Sequence, residues 1–251
     1  MLTGPSGYRR AADFVKRLAS TGERLVIVVS AEKGHTDALL DEARRFAAEP
    51  EQASLDLLWS TGELRSVALL TLSLRAAGVA AAGFNAHETG LVTESGRIDL
   101  EPAALLAALS QYRVVVVPGF LATRNQQLVT LGRGGSDLSA VVIAAGLGFD
   151  RCVLVKDVDG YFTADPATDP TARPVPRVDY DTALRMAEAG CPLVQRDALA
   201  AGLEGGIDIV VRSLTSDGTI VARRPVRSAH ASRTSPSSPV HQFSSSPVPV
   251  R

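Results

Sequence analysis

Cysteine is scarce in this chain, and so are basic clusters and long apolar runs. The 251 residues hold two cysteines, Cys152 and Cys191. Both sit in apolar surroundings with no C-x-x-C spacing and no histidine nearby. That argues against a disulfide framework or a metal site and for two buried, reduced thiols. His35 and His87 have no metal-spaced partners either, so no metal ligands are assigned. Lys and Arg total 26 against 27 Asp and Glu, a net charge of −1, with no basic block ahead of the C-terminal tail. Nucleic-acid and membrane-surface binding are therefore not expected. No apolar run reaches membrane-spanning length, and the N-terminus lacks a signal-peptide core. The expected compartment is the cytoplasm. No internal repeat is visible.

What is present is enough apolar material, 45% of residues, to bury one α/β core. Leu25-Val26-Ile27-Val28-Val29, Val114-Val115-Val116-Val117 and Cys152-Val153-Leu154-Val155 read as interior parallel strands, and Ile207–Val211 as a late one. Between them, helical spacing covers Arg9–Ser20, Thr36 to about Ala47, Leu64–Ala77, Pro102–Leu109, Leu138–Leu147, Asp181–Ala189 and Asp197–Leu203. Phe84–Leu100 reads as short strands around Glu94-Ser95-Gly96. Alternating strands and helices predict a three-layer αβα sandwich with a central, mainly parallel sheet. Trp59 and Met186 read as core residues.

The composition shifts near residue 223. Ser235-Pro236-Ser237-Ser238-Pro239 and Ser244-Ser245-Ser246-Pro247 dominate the remainder of the chain. Such a segment offers little to pack against its ordering entropy, so 223–251 is expected to be a disordered, dispensable tail after a domain spanning 1–222.

Two loops carry the chemistry. The first is Leu131-Gly132-Arg133-Gly134-Gly135-Ser136-Asp137, just ahead of a helix. Its glycines let backbone N–H groups approach a ligand, its arginine can grip a carboxylate or phosphate, and Ser136-Asp137 reads as an N-cap. A helix N-terminus also favours anions. The second is Lys156-Asp157-Val158-Asp159-Gly160-Tyr161-Phe162, directly after a strand. Ligands of open α/β sheets bind outside the carboxyl ends of strands, where this turn falls. Singly, each residue has an ordinary reading: Glu63 as a first-turn glutamate, Asp137 as an N-cap, Asp159-Gly160 as a turn, Arg133 as a solvated loop arginine.

Taken in order, these loops with Val29-Ser30-Ala31, Thr36-Asp37 and Ser60-Thr61-Gly62-Glu63 resemble the amino-acid kinase superfamily, and within it the aspartate kinase catalytic domain. The resemblance covers nearly all of residues 5–222. It implies the amino-acid kinase fold and transfer of the ATP γ-phosphoryl group to the side-chain carboxylate of aspartate, in aspartate-family and lysine biosynthesis. The cofactors implied are ATP and Mg²⁺, and a homo-oligomer is left open. It further implies that Arg133 clamps a substrate carboxylate and Glu63 pairs with the substrate ammonium. Ser136, Gly134 and Gly135 would donate to substrate oxygens, and Ser30 and Thr36 would line the same pocket. Asp137 would organise the cations around the phosphates, with Arg133 as its catalytic companion. Lys156, Asp157, Asp159, Gly160 and Phe162 would meet the nucleotide.

The departures lie on the phosphate side. Aspartate kinases begin with a strand carrying Lys-Phe-Gly-Gly-Thr-Ser, which Met1 and its successors do not contain. Ala167 stands where an arginine is expected, Pro192 where a lysine is, and Gln195 where a histidine is. Lys156 stands in place of a threonine and returns one positive charge. No segment follows that could build the family's ACT domains. Weak ATP binding and an exposed strand edge are expected from this pattern. Three readings stay open: an aspartate kinase whose first strand lies upstream of Met1, an impaired pseudokinase that binds an acidic amino acid, and a kinase of another carboxylate metabolite.

Overall fold

The computed structural model describes residues 2–190, 193–223 and 240–243. Cys191 and Pro192, with residues 224–239 and 244–251, lie outside the described residues. In chain order the elements begin with α1 (Gly4–Ala19), β1 (Leu25–Val29), α2 (His35–Arg44), α3 (Gln52–Ala76) and β2 (Ala81–Gly83). Next come α4 (Ala86–Thr89), β3 (Leu91–Glu94), β4 (Arg97–Leu100), α5 (Ala103–Gln111) and β5 (Val114–Pro118). Then come β6 (Leu121–Arg124), β7 (Gln127–Thr130), α6 (Gly135–Gly146), β8 (Arg151–Val155), β9 (Arg177–Asp179) and α7 (Tyr180–Glu188). The last elements are α8 (Arg196–Gly205), β10 (Asp208–Arg212), β11 (Thr219–Ala222) and β12 (Val240–Phe243).

The β-branched runs form the interior of an eight-stranded sheet, in the order β2-β5-β1-β12-β8-β10-β11-β9. Every neighbouring pair is parallel except β10 with β11. Period-two alternation divides the strands between two cores. Leu25, Ile27 and Val29 pack with α1 and α3, together with Val116 and Val155. Val26 and Val28 pack on the other face with α5, α6, α7 and α8. Strands buried on both faces must be apolar at successive positions, which is why these runs do not alternate with polar residues. A second, four-stranded sheet, β4-β3-β6-β7, lies apart from this ladder. Among the described residues no helix is long and apolar enough to cross a membrane.

Three expectations need correction. The helix expected at Leu64 begins more than three turns earlier, at Gln52, so Ser60-Thr61-Gly62-Glu63 lies inside α3 rather than ahead of a helix. The Ser60 and Thr61 hydroxyls donate back to the carbonyls of Leu57 and Leu58, at 2.7 Å each, which accommodates both residues within the helix. Helix α6 starts at Gly135 with Gly134 as its N-cap, so Ser136 and Asp137 belong to its first turn and do not cap it. The third correction concerns the tail. Val240–Phe243 is a central strand, in register with Val26–Val29 on one side and Cys152–Val155 on the other. Composition weighs side chains, whereas a four-residue strand between two neighbours is held largely by its main chain. Loop chemistry also hid the β6–β7 hairpin, whose turn places Asn125 and Gln126 at φ 50° and 66°.

The α7–α8 corner shows how closely the helical layer packs. The Tyr180 hydroxyl donates to the Ile207 carbonyl at 2.8 Å inside the core. Gly202 on α8 faces that ring, and a Cβ there would collide with the hydroxyl. Tyr180→Phe leaves the Ile207 carbonyl without its donor. It is expected to lower the unfolding free energy by about 1–2 kcal/mol in urea denaturation; an unchanged midpoint would contradict this packing.

Candidate functional site

Parallel strands β1, β5, β8 and β10 finish at the same edge of the sheet, and the residues that follow them meet there. Gly119, just after β5, donates its N–H to the Val29 carbonyl at 2.7 Å. A Cβ on Gly119 would lie 2.8 Å from the Ser136 Cβ, so only glycine lets the N-terminus of α6 settle against this edge. Phe120, at φ 66°, donates its N–H to the Ser139 hydroxyl at 3.1 Å. One contiguous region thus joins the end of β1, the turn after β5 and the first turn of α6.

On the β1 side, Ala31 and His35 rest on Gly62 of α3, where a Cβ would sit 3.1 Å from the Ala31 Cβ and 2.8 Å from the His35 Cδ2. Gly62 is therefore a close-approach residue and not a turn. This contact brings Glu63 beside the loop after β1. Glu63 is only 3% exposed. Its burial drives the carboxyl pKa up to about 8, against a backbone hydrogen bond from Ala31 that pulls it down. Its Oε2 and the Ser30 Oγ are both buried and have no hydrogen-bond partner among the described residues. Thr36 lies in the first turn of α2, and its carbonyl accepts the Trp59 Nε1 hydrogen at 3.2 Å. Trp59 also meets Phe120 edge-on, with centroids 6.2 Å apart, so it ties α2 and α3 to the β5 turn.

On the α6 side, Arg133 is exposed between two left-handed glycines, Gly132 at φ 72° and Gly134 at φ 78°. It has no ion-pair or hydrogen-bond partner among the described residues. Gly134 lies against the Gln195 side chain, and Gly135 against Leu131 and Phe120. Packing alone therefore requires both glycines, whatever their backbone N–H groups do.

Asp137 and Lys156 are 4% and 5% exposed, and the Lys156 Nζ donates to both Asp137 carboxylate oxygens at 2.7 Å. Lys156 comes directly after β8 and donates its own N–H to the Arg212 carbonyl at 2.8 Å. The lysine thus turns toward α6, and its charge is set beside the helix N-terminus. Farther out, Asp157 and Asp159 are exposed, while Gly160, at φ 108°, is pressed against Thr219. The Tyr161 N–H donates to the Thr219 hydroxyl at 2.8 Å, and Phe162 bridges to Pro174. The acidic loop is thereby fastened to β11.

The structure brings Ser30, Thr36, Glu63, Ser136, Asp137 and Lys156 to one edge. Asp157, Asp159, Gly160 and Phe162 flank that edge beyond β8. Sequence reading missed Gly119, Phe120 and Gln195 as shaping residues. Pro118-Gly119 read only as a turn, and no local signal pairs Gly119 with Ser136.

Residues 1–213 match the amino acid kinase family model. This chain belongs to the amino acid kinase family. Within that family it is similar to the aspartokinase of Thermus thermophilus, at 39% identity over 84% of this chain and 54% of the relative. It also resembles the solved aspartate kinase of Synechocystis, with TM-score 0.80 and 35% identity over 90% of this chain and 39% of that one. The E. coli aspartokinase III structure in complex with aspartate and ADP matches with TM-score 0.77 and 26% identity, over 88% of this chain and 62% of that one. The chain spans about half the length of the curated relatives it matches. Its central sheet with helices on both faces is the amino acid kinase fold.

Two outcomes are expected from the buried charges. Lys156→Met strands the Asp137 carboxylate in the core and should cost about 3–5 kcal/mol of stability. Pairing it with Asp137→Leu should recover most of that loss; equal losses in the single and double variants would contradict a paired charge. Glu63 supplies the second test. Its folded pKa lies above the ordinary value of 4.5. Between these values the folded chain holds more protons than the unfolded one, so this group's contribution to stability falls as pH rises toward 8. Glu63→Gln should flatten that part of the stability profile, and an unchanged slope would refute it.

Proposed function

We propose that the chain carries the catalytic domain of an aspartate kinase-like phosphotransferase, which makes 4-phospho-L-aspartate from L-aspartate and ATP. The observation that carries this reading is the pair of buried, unpartnered polar atoms, Glu63 Oε2 and Ser30 Oγ, at the carboxyl end of β1. Buried polar groups are normally satisfied, so two orphans near the end of β1, Glu63 being held there by the Ala31 backbone, call for a ligand. An ammonium group satisfies Glu63 and restores its ionised form. Arg133 lies exposed on the neighbouring loop and is free to swing onto a carboxylate. A cation and a buried acid suit a zwitterion, and aspartate is the amino acid named for the E. coli complex.

The reaction needs no general base. A carboxylate oxygen of the substrate attacks the γ-phosphorus, the new O–P bond forms, and the bond to the bridging oxygen breaks to release ADP. The domain's task is to align two anions and to offset charge at the transferring group. Lys156, held by Asp137, is the fixed cation at this edge. Ser136 and the first-turn N–H groups of α6 supply further donors. Mg²⁺, when bound, offsets negative charge on the phosphates. It asks for one or two carboxylates besides phosphate oxygens rather than a protein cage. Asp157 and Asp159, exposed beside Lys156, fit that demand.

Calorimetric titration of L-aspartate into the wild type, Arg133→Ala and Glu63→Gln tests the assignment. Each variant is expected to bind about tenfold more weakly or worse, the cost of losing a charge-assisted contact. Equal affinity in all three proteins would refute it.

A further inference from the structure

β1 and β8 lie at the centre of the sheet, yet neither bonds the other. Each bonds β12 on its facing side, in four register pairs. Without β12, residues 2–223 build two half-sheets, β2-β5-β1 and β8-β10-β11-β9. Helix α6 packs on strands of both halves, and the core under α1 joins Ile27 and Val29 to Val153 and Val155. The layers on either side of the seam are therefore made by other elements. Neighbouring strands lie about 4.7–4.9 Å apart, so the seam is one strand wide.

The occupant of the seam follows β11 after a connection of sixteen residues, 224–239. Residues 224–239, which connect Arg223 to Val240, contain Pro225, Pro236 and Pro239 and a single large aliphatic residue, Val226. This composition carries few apolar side chains, and a covalent connection of this length holds its two ends at high local concentration. We propose that the seam between β1 and β8 is a strand-binding groove. The chain's own Val240–Phe243 segment occupies it as a detachable strand recognised through its main chain. The family resemblance implied an exposed strand edge at this domain; the C-terminal segment closes one.

Docking also reaches the candidate site. Phe243 is in register with Val29 and Val155, the residues directly before Ser30 and Lys156. The docked strand sets the separation between the Glu63–Ser30 side and the Lys156–Asp137 side. Release leaves two bare strand edges and two site halves with no common ladder. Only this last step rests on the proposed function.

Hydrogen exchange on the full chain is the first test. Amides of 240–243 are expected to exchange about a hundredfold or more slowly than in an unstructured peptide of the same sequence, as in a docked strand. Exchange at the rate of that peptide overturns the proposal. The second test compares His241→Pro, which removes a ladder N–H from the strand, with Ser232→Pro as a control. His241→Pro should melt at least about 5 °C below the wild type, whereas Ser232→Pro should melt together with the wild type. A synthetic peptide of the sequence 238–246 should raise the melting temperature of His241→Pro and bind it at least about tenfold more tightly than it binds the wild type, whose groove is filled. Unchanged melting of His241→Pro, or equal peptide binding to both proteins, overturns a detachable strand. If His241→Pro does not fold, the exchange result on the wild type decides. Weaker aspartate binding by His241→Pro, restored by the peptide, ties the groove to the site. Peptide docking that leaves aspartate binding unchanged overturns the link to the site and leaves the groove standing; aspartate binding absent from the wild type as well counts against the aspartate reading alone.

Discussion

Everything at the candidate site depends on the shared direction of β5, β1, β12, β8 and β10. Parallel strands bring all their carboxyl ends to one edge, so residues far apart in sequence become neighbours without any long excursion of the chain. Gly119 after β5, Ser30 after β1 and Lys156 after β8 each take one step past a strand of the buried core. Helix α6 then brings its first turn to the same edge because Gly119 has no side chain to block Ser136. The edge is therefore a product of strand direction and one close approach.

Two buried acids at this edge are treated in opposite ways. Asp137 is met by Lys156 through two short hydrogen bonds, so its charge is balanced within the fold. Among the described residues Glu63 has one backbone donor and no cation, and its burial favours the protonated form. The first arrangement makes a fixed cation possible in a dry place, since the lysine alone would be costly to bury. The second leaves an acid that gains from a positive ligand. Stability and recognition are thus placed on different carboxyls, each set by what surrounds it.

The sequence made the interior strands legible because burial on both faces demands unbroken apolar runs. It made the loops of Arg133 and Lys156 legible because glycine and charge are unusual next to such runs. It misled where side-chain chemistry mimics a break. Ser60, Thr61 and Gly62 look like a helix start, yet two hydroxyls bond back to the helix and the glycine receives Ala31. It misled again at Val240–Phe243, where main-chain pairing matters more than the Ser/Pro setting. The partnership of Asp137 with Lys156 had no local signature, because it depends on how α6 crosses the end of β8.

The central claim is that Glu63 is a buried, protonated acid that becomes ionised when an ammonium ligand arrives. Aspartate binding near pH 7, measured by calorimetry in buffers of differing ionisation enthalpy, reads the proton directly. The account predicts release of close to one proton per aspartate bound, falling toward zero above pH 8 and absent in Glu63→Gln. Binding with no buffer dependence in the wild type would contradict it.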